Sequence, residues 1–406
     1  MTKPRIVFFT HDTYGLGHLS RCLHLIRALA ERVPQAPLLL ISGSPVVGMF
    51  QSLPPNADYV KVPTIVKTGE AESQPPHLPL SHSEITWLRS QIIHQTATRF
   101  DPDVFVVDNF PLGSRSELLP TLKDLKRSKV RMILGLRDIL DSPDVIQTEW
   151  KKQGIYEVLD RYYDQILIYG SRKVFDVVRA YAIPERIVRK IVYCGYLTST
   201  SLPAISPEKI RRELGVRGQL AVVTGGGGGD AFPLISTFLE ALPLLSNTTA
   251  FVVTGPMMGA SDRSTLQKLA AGYSNVIFRE FVPDLRCYMN AADVVVSMCG
   301  YNIAAEILVL RRRAVLVPRN WKYGQHLRRT HTMDEREQVI RARSLSSSGL
   351  ALLLEPNNLT AQRLAEKIQE ALQLPEPETS TGFDVGGLEA AVELILTQAA
   401  MNAKKS

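Results

Sequence analysis

A chain of 406 residues with a net charge of +7, 45% hydrophobic and 21% charged, has the make-up of a globular protein. It is too long for one ordinary core, so two domains are expected. No apolar run approaches the roughly 20 residues that span a bilayer, and the opening MTKPRIVFFTHD carries no signal-peptide pattern.

Taken in chain order, short β-branched runs alternate with amphipathic ones, the pattern of an α/β protein. RIVFFT (Arg5–Thr10) reads as a strand and LSRCLHLIRALAERV as the helix after it. PLLLIS, DVFVVD, RMILGL and QILIYG read as further strands, apolar enough to be buried on both faces of a parallel sheet. Thr68–His82 is a polar, proline-rich loop, and Leu197–Glu208 is the best linker. The alternation restarts with LAVVTG, TAFVVTG, NVIFRE, DVVVSM and RAVLVP, and the chain closes on an amphipathic helix with a basic end.

Four stretches carry chemistry. THDTYGLGHLSR joins the first strand to the first helix. Gly15 and Gly17 permit a tight turn, and His18 stands near the helix N-terminus, where an imidazole tends to stay neutral and able to take a proton. His11 and Asp12 are rival bases in the same turn. In the second half, five consecutive glycines, Gly225, Gly226, Gly227, Gly228 and Gly229, lie between a strand and a helix that begins near Asp230. Such a loop lets main chain close on an anion, a phosphate above all, at a helix N-terminus. No lysine and Ser/Thr follow the glycines, so this is not a Walker A loop. In VVVSMCGYNIAAEILVL, Gly300 makes a turn, and Asn302 and Glu306, four apart, share one helix face. Glu306 lies in an apolar helix and needs partners, which a ribose diol or an arginine would supply. In EREQVIRAR, Glu337 and Gln338 open another helix.

Asp101 and Asp103 of DPDV mimic a metal-binding DxD motif, but they precede a strand. Ligands in such sheets gather at the carboxyl ends, where Asp108 is the better candidate. No metal cluster is expected. The cysteines Cys22, Cys194, Cys287 and Cys299 lack zinc or redox spacing and read as reduced thiols in a cytoplasmic protein. The basic runs Lys123–Arg131 and Leu310–Arg319 and the pair Arg328–Arg329 read as solvated faces, or as a positive surface for anionic substrates or an anionic membrane face. Without interleaved aromatics they do not suggest nucleic acid.

GLGHLSRCLHLIRAL, DPDVFVVDNFPLGSRSEL, LGLRDILDSPDVI, YYDQILIYGSRKVFD, VYCGYL, TGGGGGD, VSMCGYNIAAEIL and EQVIRAR together resemble the GT-B glycosyltransferases. The branch they resemble most contains the lipid II N-acetylglucosaminyltransferase and related bacterial glycosyltransferases. The resemblance covers roughly residues 1–345. It implies two Rossmann-like domains, residues 1–198 and 207–385, facing across a cleft, with a final helix in residues 386–406 crossing back. It also implies a nucleotide-sugar donor held by the second domain. By motif position Glu306 would hold the ribose, main chain at Phe281–Val282 the base, the five glycines and Gly300 the diphosphate, and Glu337–Gln338 the sugar. His18 matches the histidine near the reaction centre. Arg137 and Asp138, at another strand end, are a candidate phosphate contact and a candidate orienting acid. A family loop between VPR and EQ is here lengthened by residues 320–336.

The reading is a metal-independent, cofactor-free, inverting transfer of a sugar, from a UDP-sugar before others, to a hydroxyl. The acceptor is an unidentified sugar, lipid-linked or small molecule. His18 is the base, with Asp12 or Asp138 as alternatives. A nucleotide-sugar hydrolase or 2-epimerase, and a non-catalytic nucleotide-sugar binding protein, are the rival readings. The protein is expected in the cytoplasm, with peripheral contact at the inner membrane face left open.

Overall fold

The computed structural model describes residues 3–11, 17–45, 47–49, 53–67, 73–74, 78–319, 336–377 and 386–403. The chain forms two compact units, one ending at Leu197 and resuming at Gly386, the other made of most of what lies between. Asp12, Gly15 and the lengthened loop at 320–335 lie outside the described residues.

The strands of the first unit are β1 (Ile6–Thr10), β2 (Leu38–Ser42), β3 (Ala57–Lys61), β4 (Val66–Lys67), β5 (Ser73–Gln74), β6 (Val104–Asp108), β7 (Arg131–Arg137), β8 (Gln165–Tyr169) and β9 (Ile191–Tyr193). Seven of them make one parallel sheet in the order β3-β2-β1-β6-β7-β8-β9; β4 and β5 pair antiparallel on their own. The central strands are solvent-free along their whole length: β1 and β6 are buried at every residue. Helices on both faces explain this, since a parallel sheet needs crossovers that cover it. Phe9, Phe105, Val107, Leu134 and Ile168 join Leu118, Leu122 and Leu159 in its main core.

The second unit repeats the plan with β10 (Gln219–Thr224), β11 (Thr248–Val253), β12 (Val276–Arg279), β13 (Val294–Ser297), β14 (Ala314–Leu316) and β15 (Leu352–Leu353). They form a parallel sheet in the order β12-β11-β10-β13-β14-β15. Val223, Val252, Val296 and Val315 pack with Leu234, Ile235, Phe238 and Leu364 from the helices over it.

Both orders reverse direction at one place, between β1 and β6 in the first sheet and between β10 and β13 in the second. At such a switch point the connections leave to opposite sides, opening a crevice beyond the carboxyl ends of the two strands. Thr10 pairs with Asp108 in register at the first, and Thr224 with Ser297 at the second. Asp101 and Asp103 stand at the other end of their sheet. Asp103 Oδ2 accepts from the Arg5 amide at 2.8 Å, a structural bond.

The C-terminal helix, Gly387–Ala403, belongs to the first unit. Its first residue lies directly on the chain that leaves β9: a Cβ on Gly387 would stand 2.2 Å from the Gly195 carbonyl oxygen. Further along, Gln398 Oε1 accepts from Arg131 Nε at 2.7 Å, fixing the helix to the start of β7. Among the described residues no helix is long and apolar enough to cross a membrane.

Candidate functional site

The first switch point brings His18 to Asp108. The helix after β1 begins at Gly17, so His18 lies in its first turn, and Asp108 is the last residue of β6. His18 Nδ1 lies 2.5 Å from Asp108 Oδ2. The histidine side chain keeps 17% of its exposure while the aspartate keeps 4%, so the ring retains some access to solvent and the carboxylate almost none. Burial, and next the charge of Arg21, bring the imidazole down to about 4, against the pull of Asp108. Burial would raise Asp108, but Arg21 and the histidine override it and bring the carboxyl to about 2. At neutral pH the pair is therefore an uncharged imidazole beside a carboxylate.

The other candidates of this half take different places. His11 follows β1 with its ring edge-on to Phe110, centroids 4.7 Å apart, and its Nδ1 is 3.8 Å from Glu117 rather than near Asp108. Asp138 is 1% exposed; its Oδ2 accepts from the Tyr196 hydroxyl at 2.9 Å and its Oδ1 from the Ile139 amide at 2.8 Å. Asp108, not Asp138, is thus the carboxylate that meets His18. Arg137, at the end of β7, donates from Nη2 to the Leu140 carbonyl at 3.2 Å, and its charge reaches His18.

The second switch point explains the five glycines, which divide into two kinds. A Cβ on Gly225 would stand 2.1 Å from Ala231 Cβ, and one on Gly228, with φ at +92°, 2.0 Å from the Thr254 carbonyl oxygen. These two are required by the loop's own packing. So is Gly255, which follows β11 and would carry its Cβ 2.4 Å from the Gly226 oxygen. Gly227 is different: its nearest neighbour would be Met257 at 3.9 Å. A Cβ on Gly300 would meet nothing within 4 Å.

Two helices start here, Phe232–Ala241 after the glycines and Tyr301–Leu310 after Gly300, and neither has a side-chain cap. The dipole at a helix N-terminus favours an anion. Asn302 and Glu306 lie one turn apart on the second of these helices. Asn302 Oδ1 and Glu306 Oε2 are both shielded from solvent and lack a hydrogen-bond partner among the described residues. Burial pushes the Glu306 carboxyl up to about 7, with Arg286 opposing and Asp284 reinforcing the rise. A carboxyl oxygen shielded from water without a donor is costly.

Glu337 and Gln338 do open a helix, Glu337–Ser347, but their side chains turn inward. Gln338 Oε1 accepts from the Arg319 amide at 3.0 Å, and Glu337 Oε1 from Arg319 Nη2 at 3.2 Å. Arg319 also reaches Asp230, at the end of the glycine run, at 3.5 Å. Arg341, fully buried, donates to the Cys299 carbonyl at 2.9 Å and holds a turn in which Cys299 has φ at +68°. The pair at 337–338 thus braces the turns around the glycines. Phe281, just after β12, is 54% exposed, and Val282 beside it is buried.

Sequence reasoning passed over Arg21, Gly255 and Arg341. Arg21 and Arg341 are arginines on helices, which read as solvated; their burial follows from partners remote in sequence. Gly255 sits in a TGP that looks like an ordinary turn.

This is the fold of the GT-B glycosyltransferases, two Rossmann-like units with parallel sheets. Residues 220–382 match the model of the Glycosyltransferase family 28 C-terminal domain. A curated relative, the UDP-N-acetylglucosamine--N-acetylmuramyl-(pentapeptide) pyrophosphoryl-undecaprenol N-acetylglucosamine transferase of Anaeromyxobacter sp. (strain K), is 28% identical over 262 residues, 64% of each chain. The alignment therefore spans a little under two thirds of that relative's length. Among solved structures, the glycotransferase of kitacinnamycin superposes with a TM-score of 0.64 at 16% identity, covering 98% of this chain and 100% of the other. MurG of Acinetobacter baumannii gives 0.58 at 14% identity, with 97% and 99% covered.

Proposed function

We propose that this protein is a metal-independent, inverting glycosyltransferase that takes a sugar from a nucleotide-diphosphate sugar, a UDP-sugar, and passes it to a hydroxyl acceptor. The observation that carries the reading is the buried His18–Asp108 pair at 2.5 Å, an uncharged base at the end of a parallel sheet. The matched family model supports a donor site in the second unit, and the relative's name supports UDP and a lipid-linked acceptor.

The first unit supplies the base. The acceptor oxygen bonds to the anomeric carbon as the bond from that carbon to the diphosphate oxygen breaks, and the acceptor's proton passes to His18 Nε2. A single displacement of this kind inverts the anomeric centre. The second unit holds the donor: Glu306 and Asn302 on the ribose, main chain at Phe281–Val282 on the base, and the amides around Gly227 and Gly300 on the diphosphate. Charge that develops on the leaving diphosphate is met by those amides and by two helix N-termini. The exposed bases Lys123, Arg127 and Lys129 suit a peripheral station at an anionic membrane face, where a lipid-linked acceptor resides.

A thermal-shift series with UDP, GDP, dTDP and their common sugars, with and without EDTA, tests the donor half. A ligand at 100 times its Kd stabilises by about 2.7 kcal/mol. A selective shift with uridine compounds, unchanged by EDTA, is expected; no shift with any nucleotide overturns the reading. Product analysis by NMR with a lipid-linked acceptor then tests transfer, and rapid donor breakdown without acceptor would make the protein a hydrolase or epimerase instead.

A further inference from the structure

Arg21 follows His18 by three residues on the same helix, and only 2% of its side chain is exposed. An arginine on an amphipathic helix ordinarily turns to water. This one is drawn inward by Asp108, to which it bonds at two points: Nε to Oδ1 at 3.1 Å and Nη2 to Oδ2 at 2.8 Å. The same Nη2 lies 2.8 Å from His18 Nδ1, so a guanidinium and a carboxylate converge on one ring nitrogen.

A neutral imidazole can meet them in two ways. If Nδ1 carries the proton, it donates to Asp108 and Nε2 keeps a lone pair; Arg21 Nη2, 2.8 Å from Nδ1, then makes no hydrogen bond to the ring and gives its proton to Asp108 alone, a contact that the shorter bond to the carboxylate outweighs. If Nε2 carries the proton, Nδ1 accepts from Arg21, but its lone pair then faces a carboxylate oxygen at 2.5 Å. Only a protonated Asp108 would relieve that clash, and a guanidinium bonded to both oxygens opposes protonation. The first arrangement prevails.

We propose that Arg21 is a positioning residue for His18. By holding Asp108 ionised and in one orientation, it fixes the imidazole with its proton on Nδ1 and its lone pair on Nε2. The functional side of this proposal rests on the assignment of His18 as the base. Arg21 also limits the imidazole to one proton. Among the described residues, the charged and titratable groups around the ring are Asp108 from β6, Arg21 from its own helix and Arg137 from β7, with Tyr169 of β8 facing Asp108. Of the two cations, Arg21 opposes a second proton the more strongly, after burial itself.

Nitrogen NMR of the ligand-free protein labelled in its histidines tests this without any assay of turnover. At pH 7 the wild type should show His18 with Nδ1 protonated and Nε2 bare, titrating well below the ordinary 6.5. In Arg21→Gln, Asp108 is left uncompensated, so the His18 transition should rise by roughly one pH unit or more. The Nε2-protonated form should appear beside the other. The acid limb of kcat/KM should move with it, which a merely structural residue would not cause. A wild-type ring protonated on Nε2, or an unchanged titration and tautomer in Arg21→Gln, overturns the proposal. If the glutamine variant does not fold, Arg21→Lys replaces it, keeping the charge without the two-point grip. Admixture of the second tautomer then supports the proposal, and the wild-type tautomer alone overturns it. Should the NMR agree while His18→Ala turns over normally, the base assignment fails and the clamp stands.

Discussion

Arg89 and Glu117 form a two-point ion pair with both side chains wholly excluded from solvent, Nε to Oε2 at 2.6 Å and Nη2 to Oε1 at 2.8 Å. Glu117 also accepts from the Ser114 amide at 3.0 Å, so the pair ties the long helix His82–Phe100 to the segment after β6. That segment needs tying: Asn109, Gly113, Arg115 and Ser116 all have positive φ. Losing one partner of such a pair leaves a buried charge, at a cost of about 3–5 kcal/mol. Arg89→Ala should lower stability by that order in urea unfolding at pH 7, and Glu117→Gln by somewhat less.

The same pair sets an acid limit. Burial alone would raise the Glu117 carboxyl, but Arg89 overrides it and brings the group from an ordinary 4.5 to about 2. A depressed folded-state value stabilises above the unfolded one. The contribution should thus be complete above about pH 4.5 and fade as pH falls towards 2. By that shift it amounts to roughly 3 kcal/mol. Unfolding free energy measured between pH 6 and 2 should fall less steeply in Glu117→Gln than in the wild type.

Glu306 has the opposite sign. Its carboxyl, raised by burial to about 7 from 4.5, is easier to keep folded when protonated. Its ionisation should therefore cost nothing well below pH 4.5 and up to roughly 3 kcal/mol above pH 7. Glu306→Gln is expected to match the wild type well below pH 4.5, to exceed it in stability at pH 8, and to bind donor worse. A ribose diol donates to the ionised form. Affinity for a UDP-sugar, followed by calorimetry, should therefore rise from pH 6 to pH 8 in the wild type and stay flat in the variant.

Two substitutions in the glycine run should part company. A Cβ at Gly227 has nothing nearer than Met257 at 3.9 Å, so the melting temperature of Gly227→Val should stay near that of the wild type while donor affinity falls tenfold or more, about 1.4 kcal/mol. Gly228→Val forces a Cβ against the Thr254 oxygen at positive φ and should lower the melting temperature itself. Undiminished donor binding in Gly227→Val would remove the diphosphate from this loop.

His18→Ala should reduce turnover by roughly 10²–10⁴-fold without loss of donor affinity. Asp108→Asn should fall in the same range, because an amide can present its own N–H to Nδ1 and favour the wrong tautomer. Single-turnover rates with saturating donor separate this from weakened binding.

The central strands were legible because burial on both faces leaves an unbroken apolar run, as in IVFFT and VFVVD. The edges were not. β3, ADYVK, is largely open to solvent and shows no such run, while β9 and β15 are three and two residues long, too short for any pattern. The glycine run was readable as a loop, but not the division of labour within it, which depends on Thr254 and Ala231 across the turn. His18 and Asp108 were each visible at a strand's carboxyl end. Their pairing spans 90 residues and follows only from the strand order that sets β1 beside β6. Arg21 was hidden for the same reason, since nothing local marks a helical arginine as buried. Glu337 and Gln338 stood where expected, yet their inward turn depends on Arg319.

The contact of Gly387 with Gly195 makes the second unit an insert in the architecture of the first. The polypeptide departs after Leu197 and comes back at Gly386, and the two ends of that excursion are anchored side by side. A gene in which a short flexible bridge replaces the excursion would still encode every strand of the first sheet, its C-terminal helix, and the His18–Asp108–Arg21 cluster.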